Sequence, residues 1–161
     1  MAIVGGGLCG LSLANFLRSR GVPAAVYEQR DTVGEIGAGV QVDPVTWRLL
    51  EGAGLSAGLA AIAERHTQGE MRYRMDGTPL ADPEAESPAL PYPCHRGDLV
   101  SALASGIALG DIHTGHRCVE YTQDTSGGQL RFDNGATADA DVIVAADGIH
   151  SELRKYVTTP S

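Results

Sequence analysis

The first thirty residues constrain the fold more than any other part of the chain. A short apolar run, Ala2 to Val4, breaks into Gly5-Gly6-Gly7, and Leu8, Leu11, Ala14 and Leu17 then recur at near-helical spacing until Arg20-Gly21. Ala24 to Tyr27 is apolar at consecutive positions, as a parallel strand buried on both faces requires. The pattern predicts a strand-helix-strand unit, with Gly5, Gly7 and Gly10 forming G-x-G-x-x-G in its first turn. Such glycines allow a tight turn and let backbone amides approach a pyrophosphate, while the helix N-terminus behind them carries about half a positive charge. Glu28 ends the second strand, where an acid accepts the hydroxyl hydrogens of an adenosine ribose. The pair fits FAD or NAD better than NADP, whose 2′-phosphate Glu28 would repel, although Arg30 supplies an opposing charge nearby.

With 161 residues, 43% of them hydrophobic, the chain has material for one domain with a buried core. Its formal charge of −8 repels phosphate backbones and anionic lipid headgroups, so neither nucleic acid nor a membrane is an expected partner. Cys9, Cys94 and Cys118 are odd in number and widely spaced, which indicates neither a disulfide framework nor a zinc site and suits a reducing cytoplasm. No run of about twenty apolar residues occurs, and no basic stretch precedes the first strand. The shortness of that strand predicts a residue or two ahead of Met1.

Further along, Asp43-Pro44 predicts a helix start, with Val45, Leu49 and Leu50 facing inward and Gly52 and Gly54 ending it. Met71, Tyr73 and Met75 alternate with Arg72, Arg74 and Asp76, predicting a strand with one buried face before the tight turn at Asp76-Gly77. Residues 79–93 carry five prolines and read as an irregular connection, and a short helix bearing Leu99, Val100 and Leu103 follows. Turn sequences at Ser126-Gly127-Gly128 and Asn134-Gly135 divide residues 117–139 into a three-stranded meander. Asp141 to Ala146 is a last apolar strand leading through Asp147-Gly148 to a helix near Ser151. His113 and His116, without a carboxylate or cysteine partner, read as surface residues, and no metal site is expected.

Three segments go beyond a generic dinucleotide fold: Gly34-Glu35-Ile36-Gly37-Ala38-Gly39-Val40-Gln41, His95-Arg96-Gly97-Asp98-Leu99 and Ala145-Ala146-Asp147-Gly148-Ile149-His150-Ser151. Together with the glycine motif they resemble the salicylate hydroxylase branch of the class A flavoprotein monooxygenases, over nearly the whole chain. The resemblance implies an α/β Rossmann-like three-layer fold, with parallel strands near residues 2–4, 24–28, 111–114 and 141–146 and the meander packed on one face. It implies FAD held by Gly5, Gly7, Leu8 and Gly10 at the pyrophosphate, by Glu28, Gln29 and Arg30 near the adenosine, and by Arg96 at its central portion. Gly39, Val40 and Gln41 would pass beside the flavin ring, the backbone of Cys118 would meet the adenine end, and Asp147 would lie near the pyrophosphate. Cys118 itself reads as a small buried hydrophobe and Asp147 also reads as a carboxylate capping the following helix.

By the same resemblance, NADH or NADPH reduces FAD, and dioxygen supplies an oxygen atom to an electron-rich ring such as a salicylate or hydroxybenzoate. A second half would follow, carrying most of the substrate-binding sheet, with residues 69–93 reaching toward it, so the chain is expected to be the N-terminal part of a larger, homodimeric enzyme. Some relatives have a histidine proposed as proton acceptor where this chain has Gln41, and glutamine does not titrate, so no catalytic residue is assigned. Two alternatives share the glycine motif and Glu28: an NAD-dependent dehydrogenase and a non-catalytic dinucleotide-binding module.

Overall fold

The computed structural model describes residues 1–34, 38–63, 73–79 and 91–157. Its centre is a four-stranded parallel sheet of β1 (Ala2–Val4), β2 (Ala25–Tyr27), β5 (Ile112–His113) and β9 (Ile143–Ala145), in the order β5-β2-β1-β9. These are the four parallel strands that the sequence predicts, β1 at its expected length and β2, β5 and β9 each somewhat shorter than predicted. Helix α1 (Leu8–Arg18) joins β1 to β2, and Gly21, at φ 72°, turns the chain out of it. Before the sheet resumes, β3 (Gly39–Val42) pairs antiparallel with β4 (Tyr92–His95), and helices α2 (Pro44–Leu50), α3 (Ser56–Ile62) and α4 (Arg96–Ser105) are laid down. The meander is β6 (Cys118–Asp124), β7 (Gly127–Phe132) and β8 (Thr137–Ala140), and α5 (Arg154–Val157) follows β9.

Strand alternation divides the interior into two cores. Ile3 and Val26 point to the helical side and pack with Leu11, Ala14, Leu99, Val100 and Leu103. Ala2, Val4 and Tyr27 point the other way, onto Cys118, Leu130 and Phe132 of the meander. Ile3, Leu11, Val100 and Leu130 are fully buried, each contributing about 1.5–3 kcal/mol of transfer free energy. The result is the expected three-layer arrangement of helices, parallel sheet and meander.

Helix α2 starts where Asp43-Pro44 predicts, and the Asp43 carboxylate accepts the N–H groups of Val45 (2.9 Å) and Thr46 (3.0 Å). Its inward face differs from the expected one. Trp47 and Leu50 are buried, whereas Val45 and Leu49 are 59% and 56% exposed. The indole of Trp47 stacks on Tyr92 of β4 at 4.2 Å, and this contact rotates the helix away from the face that its local pattern suggests. Nor do Gly52 and Gly54 end the helical path. Residues Glu51–Leu55 continue as a π-type segment, Gly54 kinks at φ 92°, and α3 carries on from Ser56.

Of the segment expected as a strand around Tyr73, Met71 and Arg72 lie outside the described residues. Tyr73 and Met75 are exposed, and among the described residues their only ladder contact is an isolated bridge from Tyr73 to Pro79 across the turn at Asp76-Gly77. A one-sided strand needs a sheet to cover its apolar face, and among the described residues none is supplied. Residues 80–90 of the irregular connection also lie outside the description. No helix among the described residues is long and apolar enough to cross a membrane.

The Asp43 cap makes a pH-dependent prediction. Hydrogen bonds from the Thr46 side chain and backbone hold its carboxyl below the ordinary aspartate value of 3.8. A carboxyl depressed in the folded state adds stability that is fully present above its unfolded value and is lost as pH falls through the folded one. Wild type should therefore exceed Asp43→Asn in thermal stability at pH 7, and that margin should close below pH 3.8. A margin that stays constant down to pH 2, read by circular dichroism melts, would remove the charged cap from the account.

Candidate functional site

Strands β1, β2 and β9 of the parallel sheet open at their C-terminal ends into one groove of about 510 Å³. It lies where the order reverses around β1, with β2 on one side and β9 on the other, the position at which open α/β sheets bind ligands. Backbone bonds fix this junction: the Gly5 N–H donates to the Tyr27 carbonyl (2.8 Å), and the Ala146 N–H donates to the Val4 carbonyl (2.8 Å).

The glycine turn has a separate steric reason at each of three positions. Gly5 has φ 112°, and a Cβ there would come within 2.3 Å of the Ala146 carbonyl oxygen. A Cβ on Gly10 would lie 2.0 Å from the Gly5 carbonyl oxygen, so α1 crosses the turn closer than any side chain permits. At Gly6 a Cβ would approach the Glu28 side chain to 2.9 Å. Gly7 is the N-cap of α1 without a side-chain cap, and the first turn of the helix holds no acidic residue. The helix thus presents N–H donors and its positive end to the groove, with no carboxylate of its own competing for them.

Glu28, directly after β2, is held by two amides. Its Oε2 accepts the Gly6 N–H at 2.7 Å and its Oε1 accepts the Arg30 N–H at 3.0 Å. A carboxylate has about four lone-pair directions, so each oxygen keeps capacity for a further donor. Gln29 and Arg30 are exposed beside it, and the Arg30 guanidinium donates to the Gly34 carbonyl at 3.1 Å. Across the groove, Arg96 opens α4 directly after β4, and its backbone N–H donates to the Ala38 carbonyl at 3.3 Å.

On the meander side, Cys118 is buried, and burial pushes its thiol above the usual range, so it stays protonated and apolar in character. Asp147 is half-buried at the groove and accepts a long 3.4 Å bond from the Leu153 N–H, near the start of α5. The expected helix therefore begins at Arg154, whose N–H donates to the Ser151 hydroxyl at 3.0 Å.

The groove thus gathers Gly5, Gly7 and Leu8 with Glu28, Gln29 and Arg30, and with Arg96, Cys118 and Asp147. Gly10 lies beneath it, buried in the contact of α1 with the turn. Gly39, Val40 and Gln41 lie elsewhere, on β3, where Gly39 pairs with His95 and Gln41 with Pro93. Glu35, Ile36 and Gly37 of their segment lie outside the described residues.

Sequence reasoning missed the Gly6 amide, an unspecified position of the motif whose partner is set only by the fold. It also misplaced His113 and His116. Both are half-buried in an aromatic cluster, His113 stacked on Tyr27 at 4.8 Å and His116 edge-on to Phe132 at 5.0 Å, and His116 lines the groove. Its Nδ1 lies 2.6 Å from the Thr114 carbonyl oxygen and so carries a proton. Burying Tyr27 in the same cluster raises its phenol above the ordinary value.

A family model described as "FAD binding domain" matches residues 1–160. The chain is 37% identical over 163 residues to 3-amino-4-hydroxybenzoate 2-monooxygenase of Streptomyces cremeus, covering 98% of this chain and 41% of that protein. It is 30% identical over 168 residues to salicylate hydroxylase of Pseudomonas putida, covering 98% and 38%. Among solved structures, Klebsiella pneumoniae HpxO complexed with FAD and uric acid superposes with a TM-score of 0.80 at 26% identity, covering 99% of this chain and 42% of that one. The 2,6-dihydroxypyridine-3-hydroxylase of Arthrobacter nicotinovorans gives 0.76 at 28%, covering 97% and 38%. This chain therefore spans about two fifths of the length of these relatives. With its parallel sheet, glycine turn and strand-end groove all accounted for by that match, the chain belongs to the FAD-binding domain family.

Proposed function

We propose that the chain is the FAD-binding portion of a monooxygenase that uses NADH or NADPH and dioxygen to hydroxylate an aromatic substrate of the salicylate or hydroxybenzoate kind. The observation that carries the cofactor is the juxtaposition of the uncapped α1 N-terminus with the twice-anchored Glu28 carboxylate in one groove. The residues present fit a dinucleotide: Gly5 and Gly10, where a Cβ would strike the backbone of Ala146 and of Gly5, keep the turn tight enough for its amides to face the groove, and Glu28 has lone pairs left for two hydroxyls. The names of the relatives support the aromatic substrate.

In this reading Gly5, Gly7 and Leu8 hold the pyrophosphate, Glu28 the ribose, and Gln29 and Arg30 the adenosine surroundings. Cys118 offers its backbone to the adenine end, Arg96 holds the middle of the cofactor, and Asp147 flanks the pyrophosphate. Gly10 acts through packing. Gly39, Val40 and Gln41 border the flavin ring from β3. FAD, when bound, would supply redox chemistry between the nicotinamide nucleotide and dioxygen. What the described residues contribute is binding, orientation and the exclusion of water; Gln41 can orient a ring substituent but cannot take its proton. Exposed Tyr73 and Met75 support residues 69–93 as an excursion toward a substrate domain. The free cysteines Cys9, Cys94 and Cys118 support a cytoplasmic protein, and a homodimeric full-length form is carried over from the resemblance.

An absorbance titration tests the reading. The purified chain incubated with FAD should retain flavin bands after gel filtration, more strongly in a version extended to the length of its relatives. Arg96→Ala should lower retained flavin, and wild-type retention in that variant would remove Arg96 from the site. Flavin bound by neither length, with NAD bound instead, would replace the monooxygenase reading with a dehydrogenase one.

A further inference from the structure

Asn15 is the one fully buried polar side chain among the described residues, and it bridges two helices. Its Nδ2 donates to the Leu11 carbonyl within α1 and to the Leu103 carbonyl of α4, both at 2.8 Å. Two carbonyl oxygens at that distance can be faced only by the amide nitrogen, so the orientation of the side chain is fixed. Its Oδ1 then has no hydrogen-bond partner and lies against Gly106, where a Cβ would sit 2.2 Å away. An unpaired buried carbonyl is costly, and an apolar residue would avoid that cost.

The location shows what the bridge can do. Leu8 opens α1 and Arg96 opens α4, and both residues line the groove. Asn15 is seven residues into α1 and Leu103 is seven residues into α4, which puts the bond about 10 Å behind each N-terminus. The two helices pack against each other and are tied at equal depth behind these ends. Sliding one along the other would move Arg96 relative to the glycine turn and would break this bond. Apolar packing between helices is not directional and tolerates such a shift more readily.

We propose that Asn15 is a positioning residue, setting the axial register of α4 against α1 so that Arg96 and the glycine turn meet one dinucleotide together. This rests on the FAD reading above. It is tested by comparing two ligands in the same chain: FAD, which spans both helix ends, and AMP, which stops at the first phosphate on the α1 side. Asn15→Leu, which fills the volume without the bridge, should weaken FAD by about tenfold while changing AMP by less than about twofold, a difference set by the lost alignment alone. In an Arg96→Ala background the Asn15→Leu effect on FAD should vanish, because nothing remains to be aligned.

Equal losses for FAD and AMP, or an Asn15→Leu effect that persists without Arg96, would overturn the assignment and leave Asn15 a packing residue. Should the variant fail to fold, wild type gives the answer by reciprocity. FAD, but not AMP, should slow solvent exchange of the Asn15 side-chain amide protons in NMR spectra, and equal protection by both ligands overturns the proposal. Wild type that binds AMP but not FAD would instead overturn the FAD reading.

Discussion

Gly10→Ala is expected to destabilise the chain by about 3 kcal/mol or more and to abolish dinucleotide binding with it. Helix propensity alone predicts the opposite sign, since alanine in a helix is favoured over glycine by about 1 kcal/mol. The contact decides. The added carbon would lie 2.0 Å from the Gly5 carbonyl oxygen and 3.2 Å from both the Gly5 carbonyl carbon and Ile3 Cγ2. Gly5 cannot retreat, because at φ 112° it is itself wedged against Ala146. A loss of this size is a large share of the 5–15 kcal/mol typical of a domain. Gly52→Ala provides the control: nothing lies within 4 Å of a Cβ there, and its backbone is helical. Urea denaturation should separate the two variants clearly. Equal midpoints would mean that α1 does not cross the turn so closely.

Glu28→Gln is expected to be nearly as damaging as Glu28→Ala, although it changes only one atom type. Both carboxylate oxygens accept a backbone N–H, from Gly6 and from Arg30. An amide has one oxygen and one NH₂ group, so in either orientation one N–H would face another. Alanine leaves the buried Gly6 N–H without its partner, at a cost of about 1–3 kcal/mol. Both changes should weaken FAD binding by about the same 1–3 kcal/mol, since the glycine turn loses its brace together with the ribose acceptor. FAD titration by fluorescence quenching checks this. Unchanged affinity in both variants would remove Glu28 from the site, and a harmless Glu28→Gln beside a damaging Glu28→Ala would leave it a ribose ligand without the bracing role.

Much of this was legible in the residues themselves, because it depends on local rules. Ala2 to Glu28 announces its strand, turn, helix and strand through period and glycine placement, and Asp43-Pro44 announces a cap. The meander follows from its two turn sequences. What could not be read was set by partners distant in sequence. Val45 and Leu49 face outward because Trp47 stacks on Tyr92, a contact invisible to a seven-residue pattern. His113 and His116 became part of an aromatic cluster because β5 lies beside β2, and Phe132 arrives from the meander. The Gly6 amide was passed over for the same reason, since its partner is twenty-two residues away. Asn15 carried no signal either: a polar residue on a helix ordinarily means a solvated face, and only the position of α4 makes it a bridge.

The three residues of β1 are gripped from both sides, Ile3 by the helical core and Ala2 and Val4 by the meander core, and the chain passes from Val4 directly into the glycine turn. A one-residue slip of this strand would exchange its faces and drag the turn out of place in the same movement. The binding turn therefore has no private folding equilibrium; it is ordered when both cores are ordered. Any ligand it takes draws on the stability of the whole chain and returns it by mass action. For such a molecule the supply of FAD becomes a determinant of how much of the chain is folded, and partial loss-of-function substitutions far from the groove, in the meander or on α4, should be rescued by raising it.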